Sequence, residues 1–285
     1  MTWMNLPEEY SGKESKFWIL PIEYEGEVSF EKGSAKGSQE IVRASFQLEY
    51  YDEINESEPF RQGIHLLSAK TPDPAKHVNV IKAEVERINP VNKFLLVLGG
   101  DHSITIGLVQ GFENFHEDFS VIVLDAHADF RQDWQGSQNN HACVCKQLSK
   151  KHSLAILGLR SLDIDEHEEL KIQKENGQVD FLFANECGED KIESVLGKLK
   201  RKVYLSIDAD AFDPSIIRNT GTPEPSGFNW DQLLNILQKI FARKEVIGCD
   251  IVEFCPAGNE NDVRVEAYTL AKLVYKIISM KENQN

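Results

Sequence analysis

Residues 120 to 130, SVIVLDAHADF, constrain this chain more than any other stretch. Ser120 to Leu124 is a run of apolar and β-branched residues, which suits a strand buried on both faces, as in a parallel sheet. The run empties directly into Asp125, His127 and Asp129. Side chains two apart on an extended backbone point the same way, so these three can converge on one point. Two carboxylates and an imidazole beside an apolar core need a counter-charge, because burying an isolated charge is strongly unfavourable. No Lys or Arg stands within the motif. A divalent metal ion is the counter-charge that fits.

Two further stretches end in the same chemistry. FLLVLGGDH runs from Phe94 to His102, and KVYLSIDADAFDP places Asp208 and Asp210 after a third strand. Open parallel sheets bind ligands at the carboxyl ends of their strands, and all three segments put their metal-type residues there. His102, Asp125, His127, Asp129, Asp208 and Asp210 make two imidazoles and four carboxylates, more than one tetrahedral zinc site uses. The set suits two ions about 3.5 to 4 Å apart with carboxylates bridging them. Its oxygen-rich character favours Mn²⁺, two per subunit, over zinc or copper. Such a pair lowers the pKa of a bound water from about 16 towards neutrality, so the chain reads as a hydrolase.

The rest of the chain alternates strand and helix. Strands are predicted at Phe17 to Tyr24, Ile64 to Leu67, Phe94 to Leu98, Ser120 to Leu124, and in LAILGL, VDFLF, VYLSID and EVIGCDIV. Helices of 10 to 15 residues between them imply βαβ crossovers and a parallel sheet with helices on both faces. Ser38 is the expected cap of a helix from Gln39 to about Glu49. The glycine-bearing stretch EGEVSFEKGSAKGS reads as a loop near a pocket. With 285 residues, 41% of them hydrophobic, the chain can form one domain spanning residues 1 to 285, with 1 to 15 as a loose N-terminal arm or a cap.

A net charge of −15 disfavours nucleic acid or an anionic membrane as partner and attracts a small cation. Five cysteines without a framework spacing, and an N-terminus without a leader pattern, point to the reducing cytoplasm. No run approaches the roughly 20 apolar residues of a membrane-spanning helix.

In order, GGDHS, DAHAD, SIDADAFDP, TGTPEPSG and DIVEFCP resemble the blocks of the arginase and agmatinase superfamily, the ureohydrolases. The resemblance implies a three-layer α/β/α fold with a mainly parallel eight-stranded sheet, assembled as homotrimers or homohexamers. It also implies manganese-dependent hydrolysis of a guanidino compound to an amine and urea. Carried onto this sequence, His102 and Asp129 bind one ion, His127 and Asp210 the other, and Asp125 and Asp208 bridge. Asp129 also orients the attacking hydroxide, His141 shuttles the proton, and Glu253 pairs with the substrate guanidinium. Thr222, with Gly221 and Thr220, shapes the pocket floor.

The loop FRQDWQGSQNN lacks the Ser/Asn-rich pattern that arginases use for an amino acid and looks more like that of agmatinases. Asp133 and Trp134 would make an acidic, aromatic rim suited to a primary ammonium. The expected reaction is agmatine to putrescine and urea, a step of polyamine biosynthesis. Aminopropylagmatine, guanidinobutyrate, formiminoglutamate and arginine stand as alternative substrates. Arg218 and Asn219 depart from the family pattern and would put a cation near the pocket. A metallophosphoesterase and a non-catalytic family member are the competing readings; the first lacks its usual GNH-type blocks here, and the second must explain a full ligand set.

Overall fold

In the computed structural model, which describes residues 1–26 and 31–284, eight strands pair into one sheet. They are β1 (Phe17–Pro21), β2 (Ile64–Leu66), β3 (Phe94–Leu98), β4 (Ser120–Leu124), β5 (Leu154–Leu159), β6 (Val179–Phe183), β7 (Lys202–Asp208) and β8 (Glu245–Val252). Every pairing is parallel, in the order β2-β1-β3-β8-β7-β4-β5-β6. The chain lays β3 and β4 down with a gap and fills it last, with β7 and β8. The carboxyl ends of the four central strands therefore meet around one crevice, the place where open α/β sheets bind ligands.

Eight helices cover the sheet: α1 (Gly37–Ala44), α2 (His77–Ile88), α3 (Ile104–Phe112), α4 (Val144–Ser149), α5 (Ile164–Glu175), α6 (Glu189–Lys198), α7 (Trp230–Arg243) and α8 (Glu260–Glu282). The strand period of two divides the core. Phe94, Leu96, Leu98, Ile122 and Leu124 pack with α1, α6, α7 and α8, whereas Leu95, Val97, Val121 and Val123 pack with α2, α3, α4 and α5. All residues of β3, β4 and β5 are buried, as the continuous apolar runs require. This is the expected three-layer α/β/α arrangement. No helix among the described residues is long and apolar enough to cross a membrane.

Two expectations fail. Residues 1 to 15 are not a loose arm: Trp3, Met4 and Leu6 are buried in the core with α1, and the Met4 amide donates to the Ser45 hydroxyl at 3.1 Å. Three large apolar side chains in a short polar segment were enough to dock it. Ser38 does not cap a helix either. Helix α1 begins one residue earlier, after a 3-10 turn at Ser34–Lys36, leaving Ser38 buried inside it. The start is set by Gly37, where a Cβ would collide with the Phe254 carbonyl, so tertiary approach overrides the capping preference. Of the loop EGEVSFEKGSAKGS, residues 27–30 lie outside the described residues. All five cysteines are free thiols, and all but Cys187 are buried.

Candidate metal centre and active site

The six expected ligands come together at the ends of β3, β4 and β7. Their aim is set by the backbone. Asp125 accepts the His127 amide at 2.6 Å through Oδ1, Asp208 accepts the Asp210 amide at 2.8 Å, and Asp210 accepts the Ala126 amide at 3.1 Å. In each carboxylate one oxygen is fixed and the other is turned inwards. Asp125 Oδ2, Asp129 Oδ2 and Asp208 Oδ2 lie 3.2, 3.1 and 3.3 Å from His102 Nδ1. Asp210 Oδ2 lies 2.9 Å from His127 Nδ1, with Asp125 Oδ1 at 3.7 Å. Two ligand groups result, His102 with Asp125 and Asp129, and Asp125 with His127 and Asp210. Asp125 is common to both, the arrangement a bridging carboxylate needs. Asp208 joins the His102 side.

The donor set fits a pair of divalent cations. Although His102 Nδ1 and Asp125 Oδ2 stand close, both are buried and neither makes a hydrogen bond of acceptable geometry among the described residues. Two buried, bare polar atoms facing each other among carboxylates leave a place for a further, cationic partner. The electrostatics agree. Burial and the charge of Asp125 push Asp129 up to about 6, and burial with Asp210 and Asp125 pushes Asp208 well above the ordinary range. Burial would depress His127, yet Asp210 and Asp125 lift it to about 12. Acids driven to hold protons and imidazoles driven to stay charged describe a site short of positive charge.

A cavity of about 360 Å³ opens above these residues. His141 and Glu253 line it together with Trp134, Gly221 and Thr222. His141 Nδ1 lies 3.7 Å from Asp101 Oδ2; burial alone would lower it, but Asp101 raises it to about 9. Glu253 Oε1 accepts the His102 amide at 2.5 Å, while burial and then the charge of Asp101 push its carboxyl up to about 8. Thr222 Oγ1 is 3.4 Å from His127 Nε2. The loop carrying Thr222 is held by Arg160, whose Nη2 donates to the carbonyls of Asp210, Phe212 and Glu224 at 2.5, 3.2 and 3.0 Å.

Two expected residues fall elsewhere. Asp133 is exposed and is not among the residues lining the cavity, although Trp134 beside it is. Arg218 turns away from the cavity, its guanidinium 3.5 Å from Asp262 and 3.7 Å from Glu266 of α8. Among the charged residues lining the cavity, the sequence did not single out Glu31, Asp101, Arg131, Asp163 and Glu166. Arg131 lies 2.7 Å from Asp163 and 4.8 Å over the Trp134 ring, which holds the overhanging loop against α5. Glu166 heads α5 in a capping box with Asp163 and also accepts the Phe130 amide at 3.0 Å. The D-x-x-E spacing of that box was legible; its second bond to the metal loop was not.

The same architecture recurs in known proteins. The family model described as "Arginase family" matches residues 15–279. The N(1)-aminopropylagmatine ureohydrolase of Synechocystis sp. is 34% identical over 272 residues, spanning 91% of this chain and 87% of that protein. The agmatinase of Pyrococcus horikoshii is 33% identical over 275 residues, spanning 94% of this chain and 93% of its own. Among solved structures, the agmatine ureohydrolase of Thermoplasma volcanium matches with a TM-score of 0.84 at 25% identity, covering 98% of this chain and 92% of that one. With its strand-end ligands in place and matches running over nearly its whole length, this chain belongs to the arginase family.

Proposed function

We propose that this protein is a ureohydrolase that cleaves the guanidino group of a linear alkylamine at a centre of two manganese ions, with agmatine converted to putrescine and urea. The observation that carries the reading is the pair of ligand groups sharing Asp125 directly beneath a cavity that also holds Glu253 and His141. His102 and Asp129 would hold one ion and His127 and Asp210 the other, with Asp125 and Asp208 shared between them. Bound there, the metals supply Lewis acidity and a water acidified enough to attack at ordinary pH.

The chain's own groups do the rest. Glu253 keeps Oε1 on the His102 amide, leaving Oε2 to accept from the planar fork of guanidinium N–H donors. His141 turns Nδ1 to Asp101, so Nε2 is the atom that hands a proton to the departing amine. Trp134 and the Arg131–Asp163 pair wall the cavity and exclude water from the substrate's alkyl stem. Glu31 supplies an acid at the cavity for the far ammonium.

Aminopropylagmatine, which carries a second amine, is the other substrate the cavity favours. Glu31, Asp163 and Glu166 add acids beyond the metal ligands, and the Synechocystis relative is named for that compound. We place the protein in the cytoplasm, working as a homotrimer or homohexamer. Urea release with manganese from agmatine, aminopropylagmatine, guanidinobutyrate and arginine tests the substrate. Turnover of a cationic amine and none of arginine is expected; the reverse order would overturn the assignment.

A further inference from the structure

Asp250 is a fully buried carboxylate in the middle of β8, a strand otherwise made of apolar residues and glycine from Val246 to Val252. A buried acid with no cation is costly unless hydroxyl or amide donors surround it. Three hydroxyls do so. Ser206 donates to Oδ1 at 2.6 Å, and Tyr204 and Thr105 donate to Oδ2 at 2.8 and 3.1 Å. Ser206 sits opposite Asp250 in the β7–β8 register, and its Oγ is also 3.0 Å from His102 Nε2.

Proton counting fixes the direction of that last bond. A serine hydroxyl has one proton, and Asp250, which can only accept when ionised, takes it. Thr105 commits its own proton to Asp250 as well. The Ser206 oxygen must therefore accept, and the imidazole must carry a proton on Nε2. In a neutral imidazole this leaves the lone pair on Nδ1, the atom that faces Asp125, Asp129 and Asp208.

We propose that Asp250 is a positioning residue of the metal centre: acting through the Ser206 hydroxyl, it holds His102 in the tautomer that offers Nδ1 to the ion on the Asp129 side. The inference rests on the two-ion reading above. A ligating histidine whose other nitrogen is held by a carboxylate system binds metal more tightly than one left free to rotate or change tautomer. Here the carboxylate lies one hydroxyl further away, inside the sheet, where water cannot replace it. Among the described residues His127 makes no hydrogen bond to Ser206 or Asp250, so the effect falls on the His102 side of the centre.

The test is calorimetric titration of manganese(II) into the chelator-treated full-length protein, with electron paramagnetic resonance of the loaded samples. Wild type should take up two ions and show the spectrum of a coupled pair. Ser206→Ala and Asp250→Asn should weaken one ion by about 10- to 100-fold and spare the other. At manganese concentrations that fill wild type, their spectra should become those of an isolated ion. Tyr204→Phe removes a donor from the same carboxylate without touching the path to His102, so it controls for mere disturbance of the core and should keep both ions. Should Asp250→Asn fail to fold, Ser206→Ala, which deletes one oxygen atom, carries the test. Wild-type affinities in Ser206→Ala, or an equal loss in Tyr204→Phe, would overturn the positioning role. A wild-type protein that binds no manganese would overturn the two-ion reading itself, and this inference with it.

Discussion

Asp129 and Glu253 hold left-handed backbone angles, φ 47° and 61°. For residues other than glycine such a conformation costs on the order of 1 kcal/mol or more, and it persists only where surrounding contacts over-determine it. Here the contacts are those of the site: the Glu253 amide is held by the Gly100 carbonyl at 2.8 Å, and the Asp129 carbonyl accepts the Lys146 amide at 3.2 Å. Gly100 itself is obligatory, since a Cβ would strike the Tyr24 carbonyl. At the rim the constraint is charge rather than shape. Glu31→Gln keeps size and removes an acid that should meet the distal ammonium, far from the reacting carbon. KM for agmatine should rise about 3- to 5-fold at low salt with kcat unchanged, the value of one exposed charge pair. The effect should shrink as salt is added. Steady-state kinetics at two ionic strengths decide it, and an unaltered KM at low salt would remove Glu31 from the substrate's path. The candidate metal-ligating residues were legible because a period of two at a strand end is a local pattern. Glu31 was not singled out: its loop was expected near a pocket, but an acid in a loop has no strand-end period to mark it. Asp250 was visible as an acid inside the apolar part of EVIGCDIV, but its meaning depends on the strand beside it.

Strands were the elements read most closely: β3, β4 and β8 begin and end where the apolar runs do. Helix starts were read less well, as Gly37 and Ser38 show, because a close tertiary approach decides them. The connector from Tyr50 to Glu58 is the clearest case of structure hidden from local pattern. It reads as an acidic, aromatic connector, yet Lys276 of α8 is fully buried against it, its Nζ 3.0 Å from Asp52 Oδ2 and 2.8 Å from Glu53 Oε1. Asp52 uses its other oxygen to accept the amides of Ile54 and Asn55 at 3.1 and 2.8 Å. Lys276→Met should cost about 3 to 5 kcal/mol, because it strands Asp52 as a buried charge. Acid gives a second readout. The Lys276 ammonium, 2.8 Å away, holds Glu53 down from its ordinary 4.5 to about 2. A depressed carboxylate stabilises the fold above its ordinary range, and that contribution drains away as pH falls from 4.5 towards 2. Its size is small because the Glu53 side chain is 59% exposed. Urea denaturation at pH 5 and near pH 2.5 should show wild type losing more stability across the window than Lys276→Met. Equal losses would mean the ion pair contributes nothing to folding.

At the scale of the whole molecule, the fold brings distant segments together and then asks them to tolerate one another. The parallel sheet and its helical layers followed from the alternation of strand and helix, but the order of strands did not, and that order alone sets β3, β8, β7 and β4 side by side. Three carboxylate oxygens then crowd within 3.3 Å of His102 Nδ1, in a chain whose net charge is already −15. Without bound cations this is repulsion concentrated at the one place where three segments meet; with them it becomes a clamp across those segments. Asp208→Asn separates the two situations. In chelator, replacing an acid that burial and its neighbours drive to hold a proton should raise Tm, by about 2 °C for each kcal/mol of that cost relieved in a chain of this size. With saturating manganese the order should reverse. Wild type gains about 2.7 kcal/mol from each ion present at a hundred times its dissociation constant, whereas the variant has lost a ligand and gains less. Calorimetric melting of both proteins in each condition makes the comparison. A variant less stable than wild type in chelator as well as in manganese would show that Asp208 contributes to folding on its own account, and that the acids of the site are not held together against their charge.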